Sequence, residues 1–118
     1  MTLLLEVRIY RIKPGKMAAF HEAVHTKSVP MLKAKAMDVV AYGMSNHEEE
    51  TYFLARSYAN REALEREQSD FYGSEEWKQG PRKEIVDCID TYMNTLLWIS
   101  EDGIASMRAN NQPFCSQQ

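Results

Sequence analysis

The sequence predicts an α+β fold in which helical segments cover one face of a four-stranded antiparallel sheet. The chain has 118 residues, which is enough for one domain and leaves no room for a second globular unit. Its 44% apolar and 26% charged residues are typical of globular proteins and exclude the disordered, collagen-like and disulfide-scaffold classes. Along the chain, segments in which apolar and polar residues alternate, as they do in strands, are interspersed with segments of helical periodicity. The order of these segments indicates the topology of the fold.

The chain opens with a predicted strand over residues 3–13, in which apolar and polar side chains alternate as in a half-buried strand. The pair Pro14-Gly15 is typical of a turn and ends this strand. Residues 16–28 then follow a helical period, which predicts a first helix. Pro30 is expected to break or kink that helix, with one further turn through Ala36.

The middle of the chain is predicted to form a hairpin and a second helical region. Residues 38–45 and 51–58 are rich in Val, Tyr and Phe and are joined by a short polar segment, which is typical of two paired strands. Asn60 is a suitable N-cap for a helix that extends through Gln68. Ser74 is expected to begin a short helix that ends at Gly80.

The last predicted elements complete the topology. Pro81 favours the first position of another helix, which runs through Ile89. Residues 91–99 offer a fourth strand. The resulting order, β-α-β-β-α-β, is that of a ferredoxin-like fold.

We expect one domain over residues 1–99 and a C-terminal extension over residues 100–118 that is mobile or packs on a partner chain. The N-terminus lacks the features of a signal peptide, no apolar run approaches the roughly 20 residues that cross a bilayer, and the two cysteines have no motif spacing. A cytoplasmic location is therefore expected. Cys88 is interpreted as a small buried hydrophobe, whereas Cys115 lies in the extension.

The charge balance speaks against two classes of partner. Fourteen basic and seventeen acidic residues give a net charge of −3, which offers no electrostatic surface for phosphate backbones or anionic lipid. We therefore expect no nucleic-acid partner and no membrane partner.

The predicted helices leave one face of the sheet without a covering layer. We assign to this uncovered face the strand residues Glu6, Arg8, Tyr10, Tyr52, Leu54, Arg56, Tyr58, Asn94, Leu96 and Trp98. At roughly 25 cal/mol per Å² of apolar surface, leaving its aromatic and aliphatic groups in water would forgo several kcal/mol. A homodimer is therefore expected, in which two sheets pack face to face around a pocket lined by Tyr and Arg side chains.

Two parts of the chain carry a family resemblance: Glu6-Val7-Arg8-Ile9-Tyr10 with Lys13-Pro14-Gly15-Lys16, and Phe71-Tyr72-Gly73-Ser74-Glu75-Glu76-Trp77 with Gly80-Pro81-Arg82. These segments resemble the NIPSNAP family. The resemblance covers about residues 3–98 and implies a dimeric α/β barrel, a superfamily that includes small monooxygenases, haem-degrading enzymes and proteins without known activity. It therefore implies a fold and an assembly but no particular reaction. By the resemblance, Arg8, Tyr10, Trp77 and Arg82 are family-typical positions.

The segment His21-Glu22-Ala23-Val24-His25 matches the H-E-x-x-H zinc motif and lies on a predicted helix. Catalytic zinc needs a third protein ligand, and only His47 is left, in a polar hairpin loop. We interpret His21 and His25 as solvent-facing residues on the flank of the helix that match by chance. No metal is therefore expected.

The candidate ligand-binding residues are Arg8, Tyr10, Tyr42, Tyr52, Arg56, Trp77 and Arg82. A guanidinium suits a carboxylate or carbonyl group, but an internal salt bridge, for example to Glu6, would explain the arginines equally. The tyrosines either donate hydrogen bonds to a ligand or pack with their hydroxyls satisfied. Trp77 anchors a loop over the pocket or fills the core, and Arg82 pairs with Glu75-Glu76 or reaches the pocket.

Three functions are compatible with this pattern. The leading hypothesis is a homodimer that binds a small organic molecule between its sheets, without assured catalysis, because no nucleophile-base pair, phosphate loop or complete metal set is recognised. The alternatives are a cofactor-independent monooxygenase or isomerase of an aromatic or polyketide-like substrate, and a non-catalytic scaffold for protein association. No cofactor is expected, and haem is disfavoured because no axial histidine is predicted on an inner face. The catalytic residues, if any, are not identified.

Overall fold

The computed structural model describes residues 1–111, and Cys115 with the end of the predicted extension lies outside the described residues. The elements in chain order are β1 (Thr2–Ile12), α1 (Met17–Ala23), a π-helical segment (Val24–Ser28), α2 (Val29–Ala34), β2 (Asp38–Met44), β3 (Thr51–Tyr58), α3 (Arg61–Tyr72), α4 (Glu75–Gln79), α5 (Arg82–Val86), β4 (Ile89–Ser100) and α6 (Glu101–Asn110). The strands form one antiparallel sheet in the order β2-β3-β1-β4. This arrangement confirms the predicted ferredoxin-like fold.

The register of the sheet defines two faces. Because β1 lies between β3 and β4, Arg8 is directly opposite Leu54 on one side and Asn94 on the other. Alternation along the strands then places two rows of side chains on opposite faces. The helix-covered face carries Glu6, Arg8, Tyr10, Tyr52, Leu54, Arg56, Tyr58, Tyr92, Asn94, Leu96 and Trp98. The second face carries Leu3, Leu5, Val7, Ile9, Phe53, Ala55, Met93, Leu97 and Ile99.

This arrangement corrects the predicted assignment of the two rows. The prediction placed Arg8, Tyr10 and Arg56 on the face without helices, whereas Tyr10 packs against Phe20 of α1 with ring centroids 5.2 Å apart. Arg56 is likewise buried beneath α3, where it donates a hydrogen bond to Tyr72. Strand alternation separates two rows but does not say which one the helices cover. Both rows here contain large apolar side chains, so hydrophobicity did not identify the covered row.

The first helix is distorted before Pro30 and continues past it to Ala34, in agreement with the predicted kink and further turn. Proline has no backbone N–H, so the hydrogen bond of an α-helix cannot form at this position. The turn before it is π-helical, and the backbone N–H of Val29 donates to the carbonyl of Val24 five residues earlier. The widened turn joins α1 and α2 into one helical layer over the sheet.

Side-chain caps fix the second helical region. Asn60 accepts a hydrogen bond from the backbone N–H of Ala63, which confirms it as the N-cap of α3. This helix extends to Tyr72, four residues beyond the predicted end. Ser74 caps α4 by accepting from the backbone N–H of Trp77. At Gly80, a Cβ atom would lie 2.3 Å from the carbonyl oxygen of Glu76, so the turn after α4 requires glycine.

The predicted extension contains α6, a helix that its polar sequence did not reveal. Ser100 caps this helix, and Ile104 is 1% exposed because it packs against Leu5, Ala41 and Ala55 on the second face. Arg108 anchors its far end through hydrogen bonds to Asp38 at 2.7 and 3.0 Å. The helix covers only part of the face, since Met93 on β4 is 64% exposed. Within residues 1–111, no helix combines the length and the apolar character needed to cross a membrane.

Candidate functional site

A cavity of about 590 Å³ lies between the helix-covered face of the sheet and the helices. Strands β1, β3 and β4 form its floor, and the first helical layer and the α4–α5 segment form its walls. Its apolar lining consists of Phe20, Val24, Leu54, Trp77, Ile85, Val86 and Ile89. Its polar lining consists of Arg8, Tyr10, Ser28, Gln68, Tyr72, Lys78, Arg82 and Tyr92. The cavity is therefore formed by residues of a single chain and is open to solvent at its edge.

Arg8 provides the charged group on the floor. Its Nε atom donates to Oδ1 of Asn94 at 2.9 Å, and Nη2 donates to Oε2 of Glu6 at 3.2 Å and to Oε1 of Gln68 at 3.4 Å. The ring of Tyr92 lies 5.1 Å from the guanidinium carbon, within the range of a cation–π contact. These contacts come from two strands and α3, so the guanidinium is held in one orientation.

Behind Arg8 lies a fully buried ion pair. The side chains of Glu6 and Arg56 are both 0% exposed, and Oε1 of Glu6 lies 3.0 Å from Nε and 2.8 Å from Nη2 of Arg56. Gln68 donates to the other carboxylate oxygen at 2.9 Å, and Arg56 donates to the Tyr72 hydroxyl at 2.9 Å. A charge removed from water needs such partners, because the cost of desolvation is several kcal/mol per ion. The network therefore fixes α3 against the sheet.

Tyr10 and Tyr58 stay protonated at neutral pH. Burial raises the pKa of Tyr10 to about 12, in spite of the neighbouring Arg8. Burial also raises the pKa of Tyr58, to about 12, while its hydroxyl accepts a hydrogen bond from Gln68 at 3.0 Å. These phenols can offer hydrogen bonds, but they supply no negative charge that would neutralise Arg8.

The wall at α4 is held by an aromatic cluster. Trp77 is 6% exposed and packs against Phe71 and Tyr72, with ring centroids 5.4 and 5.3 Å away. The indole is therefore buried in the core, as one of the two interpretations expected, and it also lines the cavity. Lys78 and Arg82 bring two further cations to the cavity from exposed positions.

The two histidines of the H-E-x-x-H segment lie outside this cavity, although Val24 of the same segment lines it. Nδ1 of His21 is 2.6 Å from the hydroxyl of Tyr52, and Nδ1 of His25 is 2.5 Å from the hydroxyl of Tyr42. Both histidines are half-buried against the sheet, which corrects the prediction that they face solvent. Burial, followed by the proximity of His25, lowers the pKa of His21. Residues 1–111 contain no group of three or more His, Cys, Asp or Glu side chains that could hold a metal ion.

The structure brings four of the seven candidate residues together, namely Arg8, Tyr10, Trp77 and Arg82. Arg56 lies behind the cavity in the ion pair with Glu6, the internal salt bridge considered for it. Tyr42 and Tyr52 contact the two histidines instead.

Sequence reasoning missed Gln68, Tyr72 and Tyr92 as residues of the lining. Tyr92 shares the row of Tyr10 in the sheet register, so the correct strand pairing would have found it. The two residues of α3 carried no comparable signal, because the predicted helix ended at Gln68.

The NIPSNAP family model matches residues 5–100 of this chain. No curated protein sequence matches this chain. Among solved structures, the fold resembles a NIPSNAP family protein of unknown function from Agrobacterium tumefaciens, with 17% identity over 83% of this chain and 88% of that chain and a TM-score of 0.76. It also resembles an uncharacterized NIPSNAP-like domain protein from Burkholderia xenovorans, with 17% identity over 84% of this chain and 86% of that chain and a TM-score of 0.75.

A third structure with this fold comes from Bordetella bronchiseptica and bears the name of a candidate antibiotic biosynthesis monooxygenase. It is 18% identical over 86% of this chain and 98% of that chain, with a TM-score of 0.62. At these identities the likenesses show a common fold, which agrees with the matched family model.

Proposed function

The chain belongs to the NIPSNAP family, and from this premise we propose that each copy binds a small organic molecule in the cavity beneath its helices. The observation that carries the proposal is the composition of the cavity wall. Most of its surface is apolar, and several polar side chains also line it, of which Arg8 on the floor is the best oriented. Ligand sites are typically clefts of this size and composition. A core built only for stability would fill such a space.

The proposed assembly is a homodimer formed through the second face. Leu3, Val7, Phe53 and Leu97 are only partly buried there, and α6 protects one part of the face. An apolar sheet face of this kind favours a partner of the same character, and a second copy offers one by isologous pairing. The sheets would then meet through aliphatic side chains, and each cavity would lie on the outer side of its own sheet.

Binding without assured catalysis is the function that the lining supports best. Among the cavity-lining residues that the structure describes, none is His, Asp or Glu, so no imidazole or carboxylate of the lining can act as a general base for Ser28. A cofactor-independent monooxygenase is the second candidate. It is favoured by the fold shared with the Bordetella bronchiseptica protein and by a guanidinium that could stabilise an enolate-like charge. Oxygen consumption with a bound ligand would distinguish this activity from binding alone. The scaffold hypothesis is less well supported, because it provides no role for an open cavity.

The proposed binding is tested by closing the cavity from its edge. Val86 lines the cavity yet is 43% exposed, so the Val86→Trp variant can place an indole over the opening without overpacking the core. Lys83→Trp adds the same ring to an exposed position of α5 outside the lining and is the matched control. The probes are 2-naphthoate and its neutral isostere 2-naphthamide, titrated by calorimetry.

We expect Val86→Trp to weaken the binding of either probe roughly tenfold or more, because the indole excludes the ligand from its apolar contacts. Lys83→Trp should bind as the wild type does. Failure of both probes to bind the wild-type protein would overturn the proposed function. Equal binding to both variants would place the site elsewhere and would also overturn it.

A further inference from the structure

We propose that the cavity selects an amphipathic monocarboxylate, with the carboxylate on Arg8 and an apolar body against the helices. This inference rests on the proposed function and adds the chemical class of the ligand. The observation that points to it is an excess of positive charge on the cavity wall. Arg8, Lys78 and Arg82 line the cavity, and no carboxylate is found among the described lining residues.

The charge on the floor is not balanced by the protein. Glu6 is the carboxylate beside Arg8, but its closest partner is Arg56, with Oε1 of Glu6 2.8 Å from Nη2 of Arg56. Two guanidinium groups therefore share one carboxylate, which leaves one positive charge in excess. The phenols of Tyr10 and Tyr58 do not offset it, since burial raises the pKa of each to about 12. A single negative charge on the ligand would complete the balance.

The hydrogen bonds of Arg8 leave a place for that charge. The guanidinium carries five N–H donors, and its contacts to Asn94, Glu6 and Gln68 use Nε and Nη2. None of these three hydrogen bonds uses Nη1. The side chain is 13% exposed and lines the cavity. A ligand carboxylate can therefore accept hydrogen bonds from Nη1 without displacing any of these three partners.

The other walls specify the remainder of the ligand. Val24, Leu54, Ile85 and Ile89 present aliphatic surface, and Trp77 adds an aromatic face. Lys78 and Arg82 lie at exposed positions, where water screens their charges, so they guide an anion toward the cavity more than they bind it. One fixed guanidinium whose charge is partly shared suits a monoanion better than a phosphate dianion. A long or aromatic carboxylate fits both the floor and the walls.

The test compares a charged probe with its neutral isostere. In the wild-type protein, calorimetry should show 2-naphthoate binding roughly tenfold or more tightly than 2-naphthamide, because only the carboxylate forms a charge-assisted hydrogen bond. Arg8→Met should remove this preference while leaving the binding of the amide nearly unchanged. This variant should still fold, because Glu6 retains Arg56 and Gln68. Arg66→Met removes an exposed guanidinium of α3 and is the matched control, with the preference intact.

Each outcome supports or overturns the inference. Equal affinity of the wild-type protein for the two probes would overturn the selection of a carboxylate and leave the binding cavity itself supported. Persistence of the preference in Arg8→Met, in a variant whose circular dichroism matches the wild type, would also overturn it. If neither probe binds the wild type, the proposed function fails with it.

Discussion

The two faces of the sheet differ in what is buried on them. On the helix-covered face, Glu6 and Arg56 form an ion pair with no exposure to solvent, and a cavity of about 590 Å³ lies beside them. On the second face, Leu5, Ala41, Ala55 and Ile104 form an apolar cluster without a charged member. Both faces depend on buried apolar area, but only the helix-covered face adds a buried ion pair that requires precise geometry. Stability alone would favour apolar contacts on both faces, so the buried charges and the unfilled space are the reason why we propose the binding site on the helix-covered face.

The largest expected effect is on the ion pair of the helix-covered face. Arg56→Met removes the closest partner of a fully buried carboxylate, which should lower the free energy of unfolding by roughly 3–5 kcal/mol. Urea denaturation followed by circular dichroism measures this loss. The double variant Glu6→Met/Arg56→Met is the control, because removing both charges leaves no uncompensated ion. We expect it to recover much of the stability, whereas losses that simply add would contradict a role for the paired charges.

The difference between the faces also explains which features the sequence could predict. Order and type of the strands follow from local alternation and turn residues, and the hairpin strand predicted over residues 51–58 was found at those bounds. The side of the sheet that receives the helices depends on the handedness of the connections, which alternation does not encode. That is why Arg8 and Tyr10 were recognised as candidates but were placed on the wrong face.

Two further differences between prediction and structure arise from tertiary contacts. The H-E-x-x-H segment was correctly assigned to a helix, but the orientation of that helix against the sheet decides what His21 and His25 contact. Their partners, Tyr52 and Tyr42, belong to strands far along the chain. Helix α6 was missed because its apolar contact depends mainly on one residue, Ile104, which no periodic pattern accompanies. In both cases the deciding information is tertiary.

The next largest effect is expected on the second face, through the proposed dimer. Met93 is 64% exposed and lies in the row of Val7 and Leu97, so Met93→Glu should not disturb the fold of one chain. A carboxylate within the apolar interface should weaken association by about 3 kcal/mol, or about a hundredfold. Light scattering during gel filtration measures the change.

The matched control for the interface is Val86→Glu, which places the same charge on an exposed apolar position of α5, away from the second face. It should leave the mass of the assembly unchanged. A wild-type protein that is monomeric at micromolar concentration would contradict the proposed pairing. Dissociation of both variants would show that the association does not depend on the second face.

The smallest effect is expected at the edge of the second face, where Arg108 of α6 pairs with Asp38 of β2. Burial opposes ionisation of Asp38, but the hydrogen bonds from Arg108 and Ser57 outweigh it and lower the pKa of this carboxyl group. Because the pair is partly exposed, Arg108→Met should cost only roughly 0.2–1 kcal/mol near pH 7. Urea denaturation of the two proteins at a series of pH values measures the difference.

The pH dependence of that small difference separates an electrostatic anchor from simple packing of the arginine stem. A carboxyl group with a lowered folded-state pKa stabilises the protein above its unfolded value of roughly 3.9, and this stabilisation is lost as the pH falls through the folded-state pKa. The difference in the free energy of unfolding between the wild type and Arg108→Met should therefore have its full size at pH 6. It should decrease progressively below about pH 4. A gap of constant size down to pH 2.5 would assign the contribution of Arg108 to its aliphatic contacts. The second face would then be held by buried area alone, up to its edge.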